Sequence, residues 1–206
     1  MTSVGAPTFI ASRLRFKGKI AMICIAVSFF VMITAVAISS GFRGELRSSL
    51  SDISGDILLS APDLNITDEA RPVDAGDESV HHVASSELVS SLVPVIWRAG
   101  IVKHGEGMHG VVVKGLPSFR SDSVAMGVSI PRKLAKEAGL NPGDRMLTYF
   151  IGEDMKVRQF NVTAVHDALV EADDRYIVYA SLEDMQRLNG WNEDQVSAIE
   201  VHLADG

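Results

Sequence analysis

An uncharged apolar segment near the N-terminus constrains the fold of this 206-residue chain more than any other feature. Residues 20–40 read IAMICIAVSFFVMITAVAISS, which is 21 residues without a charged side chain. About 20 such residues are enough for a helix to cross the hydrocarbon core of a bilayer. A buried helix of a soluble protein would show a polar stripe, whereas this segment offers only scattered Ser and Thr residues. We therefore predict a transmembrane helix.

Basic residues ahead of this segment predict its orientation. Arg13, Arg15, Lys17 and Lys19 all lie within residues 1–19, which contain no acidic residue. Positively charged flanks remain in the cytoplasm. We therefore predict a cytoplasmic N-terminus and export of the bulk of the chain.

A cleaved signal peptide is the alternative explanation of the same segment. Residues 35–37 (AVA) fit the small-residue pattern of a cleavage site. Cleavage after Ala37 would release a secreted periplasmic binding module. We favour the anchored helix, because the apolar run continues on both sides of the usual signal length.

The rest of the chain is acidic. The whole chain holds 19 basic and 26 acidic residues, for a net charge of −7. Four of the basic residues precede residue 20, so the other 15 leave residues 21–206 with a net charge of −11. Nucleic acid is therefore excluded as a partner, since a phosphate backbone needs a basic surface. The one cysteine, Cys24, cannot form an intrachain disulfide.

Helical periodicity continues beyond the apolar segment. Phe42, Leu46, Leu50 and Ile53 follow one another at steps of four, four and three, which places them on one helix face. Gly55 is a typical residue to end such a helix. We predict a transmembrane helix with a periplasmic extension over residues 20–54.

Residues 55–206 mix strand and helix patterns, so the predicted fold class is α+β, a single N-terminal transmembrane helix followed by a periplasmic domain. Residues 61–82 are predicted as a loop, and Asn141–Asp144 as a tight turn with Gly143 at positive φ. Helices are predicted at 85–92, 131–138 and 181–188. Strands are predicted at 56–60, 95–103, 110–116, 145–151, 156–166, 176–180 and 196–203.

Motifs for catalysis and cofactor binding fail in their context. Residues 105–110 match the dinucleotide pattern G-x-G-x-x-G, but a strand follows where a helix is needed, which predicts a hairpin turn. The sequence has no P-loop and no G-x-S-x-G elbow, and its six histidines lack the spacing of a zinc site. We predict no catalytic residue, no cofactor and no metal.

A series of short motifs resembles one family along nearly the whole chain. The motifs read GFRGEL at 41–46, RAGI at 98–101, GVVVKGL at 110–116, IPRKLA at 130–135, GLNPGD at 139–144, FNVT at 160–163 and YIVY at 176–179. This order is similar to that of FtsX/MacB-like ABC transporter permeases, especially lipoprotein-releasing permease subunits of the LolC/LolE type. The signature residues are Gly41, Phe42, Glu45, Arg98, Gly100, Gly110, Gly115, Gly139, Gly143 and Asp144.

The resemblance implies an architecture. Such permeases have four membrane helices and a MacB-like periplasmic core domain between the first two, with a strand–helix–strand porter part and an inserted sabre part. On this pattern residues 56–120 are porter, 124–192 are sabre and 196–206 begin the return to the porter. The chain would then be the truncated N-terminal half of a permease in the bacterial inner membrane.

The resemblance also implies a function and partners. The subunit would release lipoproteins from the inner membrane for transfer to the outer membrane. ATP hydrolysis would occur in a separate ABC subunit, so the chain itself is predicted not to be an enzyme. The implied partners are membrane lipid, the ATPase, a second permease subunit and the lipoprotein cargo. The alternative within the family is export of another substrate, or transmission of force to a cell-wall enzyme.

Two groups of residues are candidates for these contacts. Aromatic and thioether side chains pack well against alkyl chains, so Phe29, Phe30 and Met32 are predicted to contact acyl chains. In LolC-type subunits a hairpin holds a partner protein. The corresponding partner loop here consists of Ile151, Gly152, Glu153, Asp154, Met155 and Lys156.

Overall fold

The computed structural model describes residues 5–62, 71–105, 107–119, 124–152, 155–168 and 176–204. The chain divides into two compact units, Met1–Ser48 and Ser49–Gly206. Helix α1 spans Gly5–Ser54. Gly55 follows it with φ of +69°, the left-handed conformation in which glycine ends a helix.

The second unit combines strands with short helices, which confirms the predicted α+β class. Its strands are β1 Ile57–Ser60, β2 Val73–Asp74, β3 Val89–His104, β4 Gly107–Leu116, β5 Gly127–Pro131, β6 Arg145–Phe150, β7 Lys156–His166, β8 Tyr176–Ser181, β9 Gln195–Val196 and β10 Ala198–Leu203. Its helices are α2 Glu78–Ala84, α3 Arg132–Ala138 and α4 Leu182–Asn189.

Six of the strands close into a barrel. Their order is β3–β4–β8–β5–β7–β6, and β6 pairs back with β3. The 16-residue β3 is long enough to serve two sheets, since its first half pairs with β10, which in turn pairs with β1. The barrel thus draws β3 and β4 from residues 56–120 and β5 to β8 from residues 124–192.

Aromatic side chains fill the barrel, and a glycine makes room for them. The fully buried rings of Phe150 and Phe160 meet edge to face, with centroids 6.1 Å apart. A Cβ on Gly100 would lie 2.9 Å from Thr148 Cγ2 and 3.1 Å from the Phe150 ring. This signature glycine therefore permits close packing of β3 against β6.

Helix α4 packs against one end of the barrel. Ser181 caps it by accepting a hydrogen bond from the backbone N–H of Asp184 at 3.1 Å, as predicted. A Cβ on Gly115 would lie 2.9 Å from Met185 Cγ, so this second signature glycine lets the helix approach β4.

The predicted helix at 85–92 is wrong. The helix lies earlier, at Glu78–Ala84, where the Asp77 carboxylate accepts a hydrogen bond from the Ser79 N–H at 2.8 Å. Leu92 instead pairs with Val201 in the β3–β10 ladder. The apolar spacing over 88–92 fits either structure, and pairing with a strand more than 100 residues away decided the outcome.

The predicted turn at Asn141–Asp144 is present. The Asp144 N–H donates to the Asn141 carbonyl at 3.0 Å, and Gly143 has φ of +100°. The Asp144 carboxylate also accepts a hydrogen bond from the Asn141 N–H at 2.8 Å. Gly139, with φ of +65°, ends α3 just before this turn.

Candidate functional site

The apolar part of α1 is long enough to cross a membrane. The span Lys19–Gly44 has 26 residues, an 18-residue window within it has a mean hydropathy of 2.7, and all of its residues are exposed. Two of its hydroxyl groups are hydrogen-bonded to the backbone of the same helix. Ser28 Oγ donates to the Cys24 carbonyl and Thr34 Oγ1 to the Phe30 carbonyl, both at 2.8 Å. The apolar surface therefore presents little polar character to a lipid or to another helix.

The three predicted acyl-chain contacts are exposed but do not form one patch. Phe29, Phe30 and Met32 are 61%, 70% and 64% exposed. Successive residues of a helix are rotated by about 100°, so Phe29 and Met32 lie roughly 60° apart while Phe30 lies roughly 160° from Met32. Phe29 and Met32 can touch one ligand together, and Phe30 faces elsewhere.

The outer surface of the barrel carries a second exposed apolar region, on β6 and β7. Side chains alternate along these strands, so the buried Phe150 points inward while Leu147, Tyr149 and Ile151 point outward. Tyr149 pairs with Val157 across the two strands. Val157 is 39% exposed, and Met155, two residues earlier on the same face, is 70% exposed.

The same face continues onto β3 and β4. Ile101 pairs with Tyr149, and Lys103 pairs with both Leu147 and Met108. Directly paired residues point to the same side of a sheet. We call this surface the outer apolar face, and its members are Ile101, Met108, Leu147, Tyr149, Ile151, Met155 and Val157.

The predicted partner loop lies at one edge of the outer apolar face. Ile151 and Met155 are exposed, and Gly152 and Lys156 are half-buried. Glu153 and Asp154 lie outside the described residues. The other five members of the face were missed because strand register, which brings them together, depends on pairing between distant segments.

A buried ion pair lies where the barrel meets β10. Lys114 Nζ lies 2.9 Å from Glu200 Oε2, and each side chain is 3% exposed. The Lys114 ammonium also lies 4.8 Å from the centroid of the Trp97 ring, a cation–π arrangement. Burial raises the pKa of Glu200, and the hydrogen bond and charge of Lys114 oppose that rise.

A half-buried histidine lies beside Tyr179, the β8 residue that pairs with Lys114. The Ser129 Oγ and His166 Nδ1 atoms are 2.9 Å apart, and the His166 ring packs on Tyr179 with centroids 4.8 Å apart. Burial lowers the pKa of His166, and the Asp167 charge partly opposes this. Asp167 itself pairs through both oxygens with Arg132, at 2.5 and 3.1 Å. Because Asp167 is held by Arg132, these groups do not form a serine–histidine–carboxylate relay.

The remaining signature residues are spread over buried and exposed positions. Arg98 is buried, hydrogen-bonded to Asn189 of α4, and its guanidinium lies 5.5 Å from the centroid of the Phe150 ring. Gly41 and Phe42 lie on the exposed surface of α1, Glu45 belongs to the same helix, and Gly110 is exposed beside Ile101. These residues therefore do not converge on one site.

The histidines and the glycine-rich segment 105–110 were the motifs considered for metal and dinucleotide binding. Among the described residues, no group of three or more His, Cys, Asp or Glu side chains could hold a metal ion. The glycines of residues 105–110 join β3 to β4 as a hairpin and do not open a helix.

Known proteins resemble the chain in sequence. No family model matches it. The lipoprotein-releasing system transmembrane proteins LolC of two Xylella fastidiosa strains, Temecula1 and 9a5c, are each 23% identical to it over 208 residues. The chain is a distant relative of these LolC proteins. The alignment covers 92% of this chain and 50% of LolC, so the chain spans about half the length of the curated relatives it matches. The predicted resemblance to LolC-type permeases is confirmed.

Two solved structures superpose on part of the chain. The extracellular domain of the noncanonic ABC-type transporter YknZ from Gram-positive bacteria superposes with a TM-score of 0.47 and 12% identity, over 72% of this chain and 83% of that one. The periplasmic region of MacB from Actinobacillus actinomycetemcomitans gives a TM-score of 0.42 and 14% identity, over 66% of this chain and 67% of that one.

Proposed function

We propose that the chain is the N-terminal part of an inner-membrane ABC transporter permease subunit that releases lipoproteins for transfer to the outer membrane. The observation that supports this most is the similarity to LolC, which extends over 92% of the chain. An apolar helix that leads directly into a mixed domain is the arrangement such a subunit requires.

The proposed topology follows from the basic N-terminus. Residues 1–19 lie in the cytoplasm, α1 crosses the membrane and residues 55–206 lie in the periplasm. Within the periplasmic domain we retain the division into porter (56–120), sabre (124–192) and return (196–206) as part of the proposal. A separate ATPase subunit supplies energy, so the chain itself catalyses no reaction.

Phe29 and Met32 are the proposed contacts for the acyl chains of the cargo. They are neighbours on one side of α1, and their side chains are 61% and 64% exposed. Phe30 points to another side, where we propose that it packs against a second helix or lipid.

The outer apolar face, together with the partner loop, is the proposed surface for a protein partner in the periplasm. Exposed contiguous apolar surface usually marks an interaction site, and Met108 and Met155 give this one adaptable side chains. The partner is a second permease subunit or a lipoprotein carrier.

Photo-crosslinking in living cells tests the acyl-chain contact. A photoreactive amino acid replaces Phe29 in one variant and Ile38 in a control, and acylated proteins are labelled with an alkynyl fatty acid. Ile38 is 67% exposed, similar to Phe29 at 61%, but lies roughly 180° away around the helix. We expect an adduct with an acylated protein from position 29 and little from position 38.

Two results would count against the proposal. Equal adducts from both positions would indicate contact with bulk membrane components only. An adduct of position 29 with proteins that carry no acyl label would favour a permease of the same family with another substrate.

A further inference from the structure

The segment after α1 is fastened to β10 by its backbone. The Asp56 N–H donates to the Val201 carbonyl at 2.9 Å, and the Asp56 carboxylate accepts a hydrogen bond from the Leu203 N–H at 3.0 Å. Gly55 packs against the same strand so closely that a Cβ there would lie 3.0 Å from Glu200 Cβ and 3.2 Å from the Val201 carbonyl oxygen. The end of α1 therefore cannot shift without displacing β10.

Glu200 carries this contact into the barrel. It lies in β10 between Leu58 of β1 and Val93 of β3, and its carboxylate reaches Lys114 of β4. Lys114 pairs with Trp97 of β3 on one side and with Tyr179 of β8 on the other. One ion pair thus joins the strand that holds the end of α1 to three strands of the barrel wall.

The chemistry of the pair suits a positional role better than a stabilising one. Apolar residues of similar volume often replace a buried ion pair without loss of stability, whereas a charge pair fixes the register of the elements it joins.

We propose that Gly55, Glu200 and Lys114 form a mechanical link that transmits displacement of the end of α1 to the barrel. Gly55 supplies the close contact, Glu200 moves with β10, and Lys114 passes the displacement to β4 and its neighbours. The role of this link in transport rests on the proposed function. Its existence does not, because the test below does not measure transport.

Hydrogen exchange of the full chain in lipid nanodiscs tests the link, with a perturbation at one end and a readout at the other. Gly55→Ala adds a Cβ against Glu200 in a strained backbone conformation, and exchange is followed in residues 111–116 of β4. We expect exchange there to rise at least about fivefold, the lower end of usual coupling between sites. In a background with Lys114→Met and Glu200→Leu, the same substitution should leave β4 unchanged and affect only residues 54–60 and 198–203.

Controls keep the test decisive. Asp56→Ala, which removes the carboxylate that accepts the hydrogen bond from the Leu203 N–H of β10, replaces Gly55→Ala if that variant fails to fold. Glu183→Gln breaks the exposed Glu183–Arg187 pair of α4, at 3.2 Å, and should change neither region. Unchanged β4 exchange with the ion pair intact would overturn the link, as would an equal rise with and without the pair.

Discussion

Side chains on the outward face of the β3–β4 ladder are exposed at one end of the ladder and buried at the other. At one end Lys103 pairs with Met108, and both side chains are exposed to solvent. At the other end Trp97 pairs with Lys114, and the lysine is only 2% exposed. A methionine in water and a lysine in the interior reverse the usual distribution. The difference arises because β10 covers one end with Glu200, while no described residue covers the other.

The two ends of the ladder differ in what they contact. The buried end joins parts of one chain, so its charges must be matched within the fold. The exposed end retains apolar side chains that no described residue covers, and the proposed function assigns this surface to a protein partner. Substitutions at the two ends should therefore differ in what they change.

The largest expected effect is at the buried end. Glu200→Ala leaves the Lys114 ammonium buried without its carboxylate, which typically costs about 3–5 kcal/mol. Denaturant unfolding of the full chain in detergent measures the free energy, with Lys103→Ala at the exposed end as the matched control. An equal loss in free energy of unfolding for Glu200→Ala and Lys103→Ala would contradict the difference between the two ends.

A smaller loss is expected where the barrel is closely packed. Gly100→Ala places a methyl group 2.9 Å from Thr148 Cγ2, and such overpacking costs about 1–3 kcal/mol. Adding Thr148→Ser removes that methyl contact and should recover part of the loss. No recovery in the double variant would show that the Phe150 ring alone limits the space.

The Asn141–Asp144 turn should show a loss of about 1 kcal/mol or more when Gly143 becomes Val. A β-branched residue is strained at the Gly143 φ of +100°. Thermal melting measures the change, and Gly143→Asn, which tolerates positive φ better, is the control. An unchanged melting temperature for the Val variant would argue against this turn.

A pH effect of modest size is expected at His166, whose ring packs on Tyr179 near the buried end of the ladder. Burial lowers its pKa below 6.5 in the folded state, so neutral histidine favours folding. This contribution is present above the unfolded pKa and is lost as the pH falls through the folded value. Melting of the wild type should therefore decline more than that of His166→Gln between about pH 7.5 and pH 5.5. Equal declines in the melting temperature of the wild type and of His166→Gln would contradict a lowered pKa for His166.

The smallest effect on stability is expected at the exposed end. Leu147→Ser and Val157→Thr should each change the free energy of unfolding by no more than about 0.5 kcal/mol. They should nevertheless weaken photo-crosslinking from position 108 to a periplasmic partner in cells. A crosslinker at Leu88, which is 73% exposed and outside the face, is the control. Undiminished crosslinking from position 108 would remove the outer apolar face from the proposed function.

Local signals in the sequence were enough for much of the fold. Gly55, Gly139 and Gly190 follow helices in the left-handed conformation, and Ser181 caps α4, because these residues act through their own backbone or a nearby N–H group. The strand β5 was missed, since its residues are buried on both faces and show no alternation.

Long-range pairing accounts for what the sequence did not predict. The barrel closes through contacts such as Ile101 with Tyr149, and the ion pair joins Lys114 to a residue 86 positions later. No local pattern specifies such partners. The exposure of Phe29, Phe30 and Met32 was predictable, because the exposed surface of an apolar helix depends on composition and helical geometry. Their contact with acyl chains stays a prediction.

The most direct measurement follows lipoprotein sorting in the native cell when synthesis of this protein is shut off. Newly made outer-membrane lipoproteins are pulse-labelled, and the inner and outer membranes are separated. The account predicts that the lipoproteins accumulate in the inner membrane and that restoring the protein returns them to the outer membrane. Normal delivery to the outer membrane in the absence of the protein would contradict its role in lipoprotein release.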